Sequence, residues 1–214
     1  MSIRFHDITR TMFAGMSVWP GDAPFELEPT TGIAEGSTVN LTRLSMSAHT
    51  GTHVDAPYHF TDDGRTMEQV DPAIYWGVAQ VVTVKKANGP LVLADFAGYD
   101  LGRAPRLLVH SGASAADPRI FPQEFAYPSP ELADHLGALG ILLYGTDAPS
   151  VDASDSQTLD GHHALRRNNI AILEGLDLTN VPDGIYELAA IPLKILGGDG
   201  SPVRAILRTT GATE

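Results

Sequence analysis

Three histidines and an aspartate fall within eleven residues, in the run His49-Thr-Gly-Thr-His53-Val-Asp55-Ala-Pro-Tyr-His59. Imidazole and carboxylate together bind borderline divalent ions such as Zn²⁺ and, with less selectivity, Mn²⁺ or Fe²⁺. Gly51 and Pro57 interrupt any helix here, and the β-branched Thr50, Thr52 and Val54 favour extended chain. If residues 52–56 are extended, His53 and Asp55 point to the same face, because side chains two apart align on a strand. Gly51 then allows the turn that brings His49 back to that face. Three protein ligands leave a coordination position for water, which suits a catalytic rather than a structural ion.

A second constellation lies far downstream at His162, His163 and Glu174. Neighbouring residues on a helix diverge, so at most one of His162 and His163 serves the site. Glu174 ends the apolar run Ile170-Ala-Ile-Leu173. A carboxylate abutting a buried strand needs a partner to offset its desolvation, and a metal ion supplies one.

These side chains need a frame. Alternation over Val39–Ser47 predicts a strand leading directly into His49. A short strand is expected within residues 1–10, followed by a loop with turn residues at Pro20-Gly21-Asp22. Buried strands are expected at Gly77–Val84, Arg106–His110, Ile141–Gly145 and Ile170–Glu174, with two more at Gly184–Leu193 and Val203–Thr209. A short helix is expected to open at Leu93–Phe96. Ser129-Pro130-Glu131 carries helix-start signals, and Gly140 stops that helix. Gly161–Asn168 reads as another short helix. Strands outnumber helices and each helix lies between strands, which predicts an α/β or α+β fold with a mixed sheet rather than a doubly wound parallel one.

The 214 residues contain no repeat, low-complexity tract or Gly/Ser linker, so the chain reads as one domain over residues 1–214. A formal net charge of −12, with no basic cluster longer than the pairs Lys85-Lys86 and Arg166-Arg167, argues against a nucleic-acid partner. With no cysteine there is no disulfide, thiolate ligand or thiol nucleophile. No apolar stretch approaches a membrane span, and the N-terminus lacks the apolar core of a secretory signal. The expected address is cytoplasmic, with no membrane partner.

The first run resembles the signature His-x-Gly-Thr-His-x-Asp-x-Pro-x-His of the cyclase superfamily of metal-dependent hydrolases. Within that superfamily the chain is similar to the bacterial kynurenine formamidase (arylformamidase) family. The likeness extends to Val18-Trp19-Pro20-Gly21-Asp22-Ala-Pro24-Phe25 and to Gly145-Thr-Asp147-Ala-Pro149-Ser150-Val-Asp152. It continues through His162-His163, Ile172-Leu173-Glu174-Gly175 and Ser201-Pro202-Val203-Arg204-Ala205.

The resemblance implies a barrel-like mixed sheet with helices packed outside, assembled as a homodimer or higher homo-oligomer. It also implies two zinc ions per subunit, with Mn²⁺ as the alternative metal. His49, His53 and Asp55 would hold the first ion, Asp55 would bridge to the second, His162 would bind the second, and Glu174 would contact both. His162 is chosen over His163 for its spacing from Glu174. His59 would donate and accept the proton, and Trp19 would stack on an aryl substrate.

The implied reaction is hydrolysis of N-formyl-L-kynurenine to L-kynurenine and formate, a step of tryptophan degradation. A metal ion lowers the pKa of water to about 7 and polarises the formyl carbonyl, and the intrinsic pKa of a histidine suits proton delivery to the departing aniline nitrogen. Two alternatives stand beside this. One is a hydrolase of the same superfamily opening an isatin-like cyclic amide or a lactone. The other is a non-catalytic metal-binding or interaction protein, against which the presence of His59 counts.

Overall fold

The apolar runs expected to be strands form the parallel centre of a nine-stranded mixed sheet in this computed structural model, which describes residues 3–209. In chain order the first strands are β1 (Phe5–Asp7), β2 (Glu26–Thr31), β3 (Leu41–Ser45), β4 (His53–Asp55), β5 (Trp76–Thr83) and β6 (Gly89–Leu91). They are followed by β7 (Arg106–His110), β8 (Ala126–Pro128), helix α1 (Pro130–Ala138), β9 (Leu143–Thr146) and helix α2 (Asp160–Arg167). The chain continues through β10 (Ala171–Glu174), β11 (Gly184–Ala189), β12 (Gly200–Pro202) and β13 (Ile206–Thr209). The main sheet runs β1-β13-β11-β5-β7-β9-β10-β4-β12. β5, β7, β9 and β10 are mutually parallel, and the flanking pairs are antiparallel.

Both faces of the parallel block are covered, which is why these strands read as continuous apolar runs. Along β7, Leu108 enters one core with Val54, Leu143, Leu173 and Leu188. Its neighbours Leu107 and Val109 enter the other, with Tyr144, Ile172 and the helix residues Leu132, Leu136 and Leu165. A strap after β1 closes on the first core: Ile8 donates to Ala205 O at 3.0 Å, Asp177 donates to Ile8 O at 2.9 Å, and Thr9 bridges Leu176. The sheet forms a half-barrel, with both α-helices packed against the second core on the face opposite the first.

Helix α1 starts as its sequence signals predict. Ser129 Oγ accepts from Leu132 N at 3.2 Å and Pro130 occupies the first turn. It ends before Gly140, whose φ of +76° is one that a side chain would resist. Leu93–Phe96 forms a single 3-10 turn. The expected strand over residues 1–10 is realised at Phe5–Asp7; Met1 and Ser2 lie outside the described residues.

Three expectations shift. The strand over Val39–Ser47 is trimmed to β3, and it pairs with β2 in a separate exposed hairpin rather than in the main sheet. The strand from Val203 begins only at Ile206, because Val203 N donates to Thr52 O instead. The one ending at Leu193 stops at Ala189, three residues before Pro192. Among the described residues, no helix is long and apolar enough to cross a membrane.

Candidate metal centre

Register places the two distant constellations side by side. In the antiparallel β10–β4 ladder, Glu174 stands opposite His53 and Ile172 opposite Asp55. Val54 and Leu173 point into the first core, so His53, Asp55 and Glu174 all project from the other face. That face lies at the carboxyl end of β10, where open sheets with parallel strands place their ligands.

Two glycines make the close approach possible. Gly51, at φ +69°, turns the chain between His49 and His53. Gly175, at φ +65°, passes so near that a Cβ would lie 2.3 Å from Gly51 O. Thr52 Oγ1 donates to Gly175 O at 2.6 Å, joining the turn before β4 to the residue after Glu174.

His162 arrives from α2. Its buried neighbourhood is set by Asp152, whose carboxylate accepts from Gly161 N at 2.7 Å and His162 N at 3.0 Å at the start of the helix. The adjacent His163 is exposed and sits edge-on to Phe60, with ring centroids 5.7 Å apart. As expected for neighbours on a helix, only one of the two enters the cluster.

Each of three imidazoles presents one nitrogen to Asp55 or Glu174 and ties the other to a protein acceptor. His49 Nδ1 lies 3.0 Å from Asp55 Oδ1, and its Nε2 lies 3.2 Å from Asp199 Oδ2. His53 Nε2 lies 3.4 Å from Asp55 Oδ1 and 3.3 Å from Glu174 Oε2, and its Nδ1 lies 3.1 Å from Gly51 O. His162 Nε2 lies 3.4 Å from Asp55 Oδ2 and 3.9 Å from Glu174 Oε1, and its Nδ1 lies 2.6 Å from Asp152 Oδ2. Outer acceptors of this kind fix the tautomer and orientation of metal-binding histidines.

Several of the inner separations are close to the edge of a tetrahedron of ligands about 2.0–2.1 Å from a central ion, roughly 3.3 Å. Asp55 Oδ2 is buried without a hydrogen-bond partner among the described residues, a cost that a cation would remove. Glu174 Oε1 does have one partner, accepting from Val151 N at 2.9 Å. His53, Asp55 and Glu174 are close enough to share an ion, as are His49, Asp55 and His59.

Proton affinities show the same demand for positive charge. Burial disfavours the charged rings of His53 and His162, yet their carboxylate partners push both up to about 10. Asp55 is held well below the usual carboxylate range, because contacts from His162, His49 and His53 outweigh its burial. Glu174 is raised by burial and by the nearby charge of Asp55. Two buried carboxylates in contact with three imidazoles form a sink for protons or for divalent cations.

His59 follows β4 on a 3-10 turn at Pro57–His59. Its ring lies 4.0 Å from that of His49, and its Nδ1 is 3.7 Å from Asp199 Oδ2. Burial lowers its pKa, the opposite direction from His53 and His162.

A cavity of about 790 Å³ opens onto His49, His53, His59, His162 and Glu174. Trp19 lines its wall, edge-to-face with Phe121 at 5.2 Å. Behind the cavity, both oxygens of the fully buried Asp147 accept from the backbone and side chains of the Ser111–Ser114 loop after β7.

Asp152, Asp199 and Gly200 were not among the expected site residues. Asp152 stands within the central stretch of the family resemblance, which is the one signal that pointed toward it. Gly200 matters by what it lacks, since a Cβ there would lie 2.7 Å from His49 Cε1.

Residues 6–153 match the family described as "Putative cyclase". The chain is 42% identical over 205 residues to the kynurenine formamidase of Geobacillus thermodenitrificans, covering 96% of this chain and 97% of that protein. It is 44% identical over 204 residues to the kynurenine formamidase of Salinibacter ruber, covering 94% and 96%. A solved structure described as a potential metal-dependent hydrolase with cyclase activity superposes with a TM-score of 0.84 at 28% identity, over 99% of this chain and 100% of that one. Isatin hydrolase A from Labrenzia aggregata, bound to benzyl benzoate, gives 0.84 at 26% identity over 97% and 94%.

Proposed function

The chain belongs to the kynurenine formamidase branch of the cyclase family, and from that premise we propose that it hydrolyses N-formyl-L-kynurenine to L-kynurenine and formate. The observation that carries the reading is the pairing of three imidazoles with two buried carboxylates, each imidazole held from behind by a separate acceptor.

In this reading the centre would hold two divalent ions, zinc with manganese as the alternative. His49, His53 and Asp55 would hold one, His162 the other, and Asp55 and Glu174 would be shared between them. Bound ions supply Lewis acidity, lowering the pKa of water to about 7 and polarising the formyl carbonyl. The protein contributes position and proton transfer. Asp199, Gly51 O and Asp152 keep the ligand rings aimed inward. His59, on the cavity side and with a lowered pKa, would take a proton from the water that adds to the formyl carbon and deliver it to the aniline nitrogen as the C–N bond breaks, releasing formate. Trp19 and Phe121 offer aromatic faces to the aryl ring.

Assembly as a homodimer or larger homo-oligomer belongs to the same reading, as does a cytoplasmic address. The β2–β3 hairpin, which exposes Leu27, Leu41 and Leu44, supports assembly because isolated two-stranded hairpins are marginal in water.

The likeness to isatin hydrolase A favours one second reading, opening of a cyclic amide by the same centre. Assaying the zinc-loaded protein with N-formyl-L-kynurenine beside isatin separates the two. Turnover of the formamide in clear preference to isatin is expected. Turnover of isatin alone would replace the first reading with the second.

A further inference from the structure

Hydrolysis at the metal centre accounts for the formyl end of the substrate and leaves its amino-acid tail unplaced. That tail carries a carboxylate and an ammonium, and both must find partners in the cavity that holds the aryl ring. The cavity lining includes Asp22, Asp117 and Asp177, but among the described residues Arg10 is its one arginine or lysine.

Arg10 is fixed to both halves of the centre. Its backbone N–H donates to Thr52 Oγ1 at 2.8 Å, one residue before His53. Its Nε donates to Gly175 O at 3.2 Å, one residue after Glu174. One terminal nitrogen, Nη2, donates to Asp147 O at 2.7 Å. The other, Nη1, makes no hydrogen bond among the described residues, and Arg10 lines the cavity.

No carboxylate lies within ion-pair distance of this guanidinium among the described residues. Of the two nearby carboxylates, Asp147 is held by five donors, and Asp177 turns Oδ1 to Thr179 N and Thr179 Oγ1. Burial pushes the Arg10 pKa down, only partly offset by Asp147 and Asp177. A half-buried cation held by two carbonyls, with a terminal nitrogen left without a protein partner among the described residues, in the lining of a ligand cavity, is arranged to receive an anion.

We infer that Arg10 is the anchor for the α-carboxylate of the substrate, so that this cavity selects aryl formamides bearing an amino-acid tail. The cavity's own aspartates disfavour a purely anionic ligand and suit the ammonium of a zwitterion. The inference rests on the hydrolysis reading, because that reading supplies the tailed substrate.

The test compares wild type, Arg10→Gln and Arg10→Lys, each zinc-loaded, on N-formyl-L-kynurenine and on 2′-formamidoacetophenone, which keeps the aryl formamide and ketone but lacks the tail. Gln keeps amide donors for the two carbonyls, and Lys keeps the charge. Arg10→Gln is expected to lower the kcat/KM ratio of the tailed over the tailless substrate about 10–100-fold, chiefly through KM. Arg10→Lys should restore part of the ratio. An unchanged ratio overturns the inference, whatever happens to overall rate.

Calorimetric binding of L-kynurenine and 2-aminoacetophenone reads the same contact without turnover. A selective loss of L-kynurenine affinity in Arg10→Gln is expected, and equal affinities for wild type and variant overturn the inference. If wild type turns over neither formamide, the hydrolysis reading falls, while the binding comparison still decides the role of Arg10.

Discussion

Glu174 stands directly opposite His53 across the antiparallel β10–β4 ladder, with Oε2 3.3 Å from Nε2. This single cross-strand pair joins the two histidine-rich segments and sets both carboxylates, Asp55 and Glu174, on one buried face. Replacing Glu174 by Gln keeps its shape and its ability to accept from Val151 N but removes a charge. Metal affinity is expected to fall by more than the roughly 10–100-fold that loss of an outer partner costs, with activity following. The metal-stripped variant should melt no lower than stripped wild type, because relief from burying an ionised carboxyl and from repulsion by Asp55 outweighs the lost contacts to His53 and His162. Elemental analysis after dialysis, together with calorimetry, checks both halves.

His59 separates proton transfer from metal binding. If it carries the proton, His59→Ala retains both ions while kcat falls roughly 10²–10⁴-fold. Its proximity to His49 and Asp55 allows the opposite outcome, loss of an ion together with activity. Metal content measured beside kcat distinguishes them, and a variant that keeps its ions and most of its rate would remove His59 from the mechanism altogether.

Gly200 is predicted to be intolerant of even one added carbon. It pairs with Asp55 across the β12–β4 ladder, and a Cβ would press on the His49 ring at 2.7 Å. Gly200→Ala should displace that ring from Asp55 and Asp199 and weaken metal binding about 10-fold or more, comparable to losing an outer partner. The fold should persist, since the hardest clash meets the His49 ring, while the Val54 carbonyl oxygen at 3.1 Å need give by only a few tenths of an ångström. A zinc titration of the stripped variant, with its circular dichroism compared to wild type, measures this.

The pH dependence of stability should invert on metal loading. Without metal, His53 and His162 are raised to about 10, against about 6.5 in the unfolded chain. The folded state then binds more protons, so this contribution is fully present below about 6.5 and is lost as pH rises toward about 10. Stripped protein is expected to melt at progressively lower temperature across that window. Loaded protein should instead bind its ions more tightly as the rings lose their protons. Calorimetry of both forms between about pH 6.5 and 9 tests the inversion, and a stripped protein that gains stability with pH across this range would contradict it.

Much of the site was legible because its residue types are dense and costly to bury without purpose. The spacing of His53 and Asp55 on a strand, the turn at Gly51 and the divergence of His162 from His163 all follow from local geometry. The apolar run before Glu174 marked β10 for the same reason. What sequence could not show was register. β12 is Gly-Ser-Pro, with no strand propensity to reveal it, and only its pairing with β4 brings Gly200 and Asp199 to His49. β2 was hidden by charged residues and Pro29, since both faces of its hairpin are exposed. Asp152 carries no local sign that its two oxygens organise the start of α2 and the back of His162.

The most direct test of the account is a titration of metal-stripped protein with zinc while L-kynurenine release from N-formyl-L-kynurenine is followed. Activity should be absent in the stripped protein, return with added zinc and saturate near two ions per chain. Full activity in protein shown by elemental analysis to be free of metal, or no hydrolysis at saturating zinc, would contradict the account.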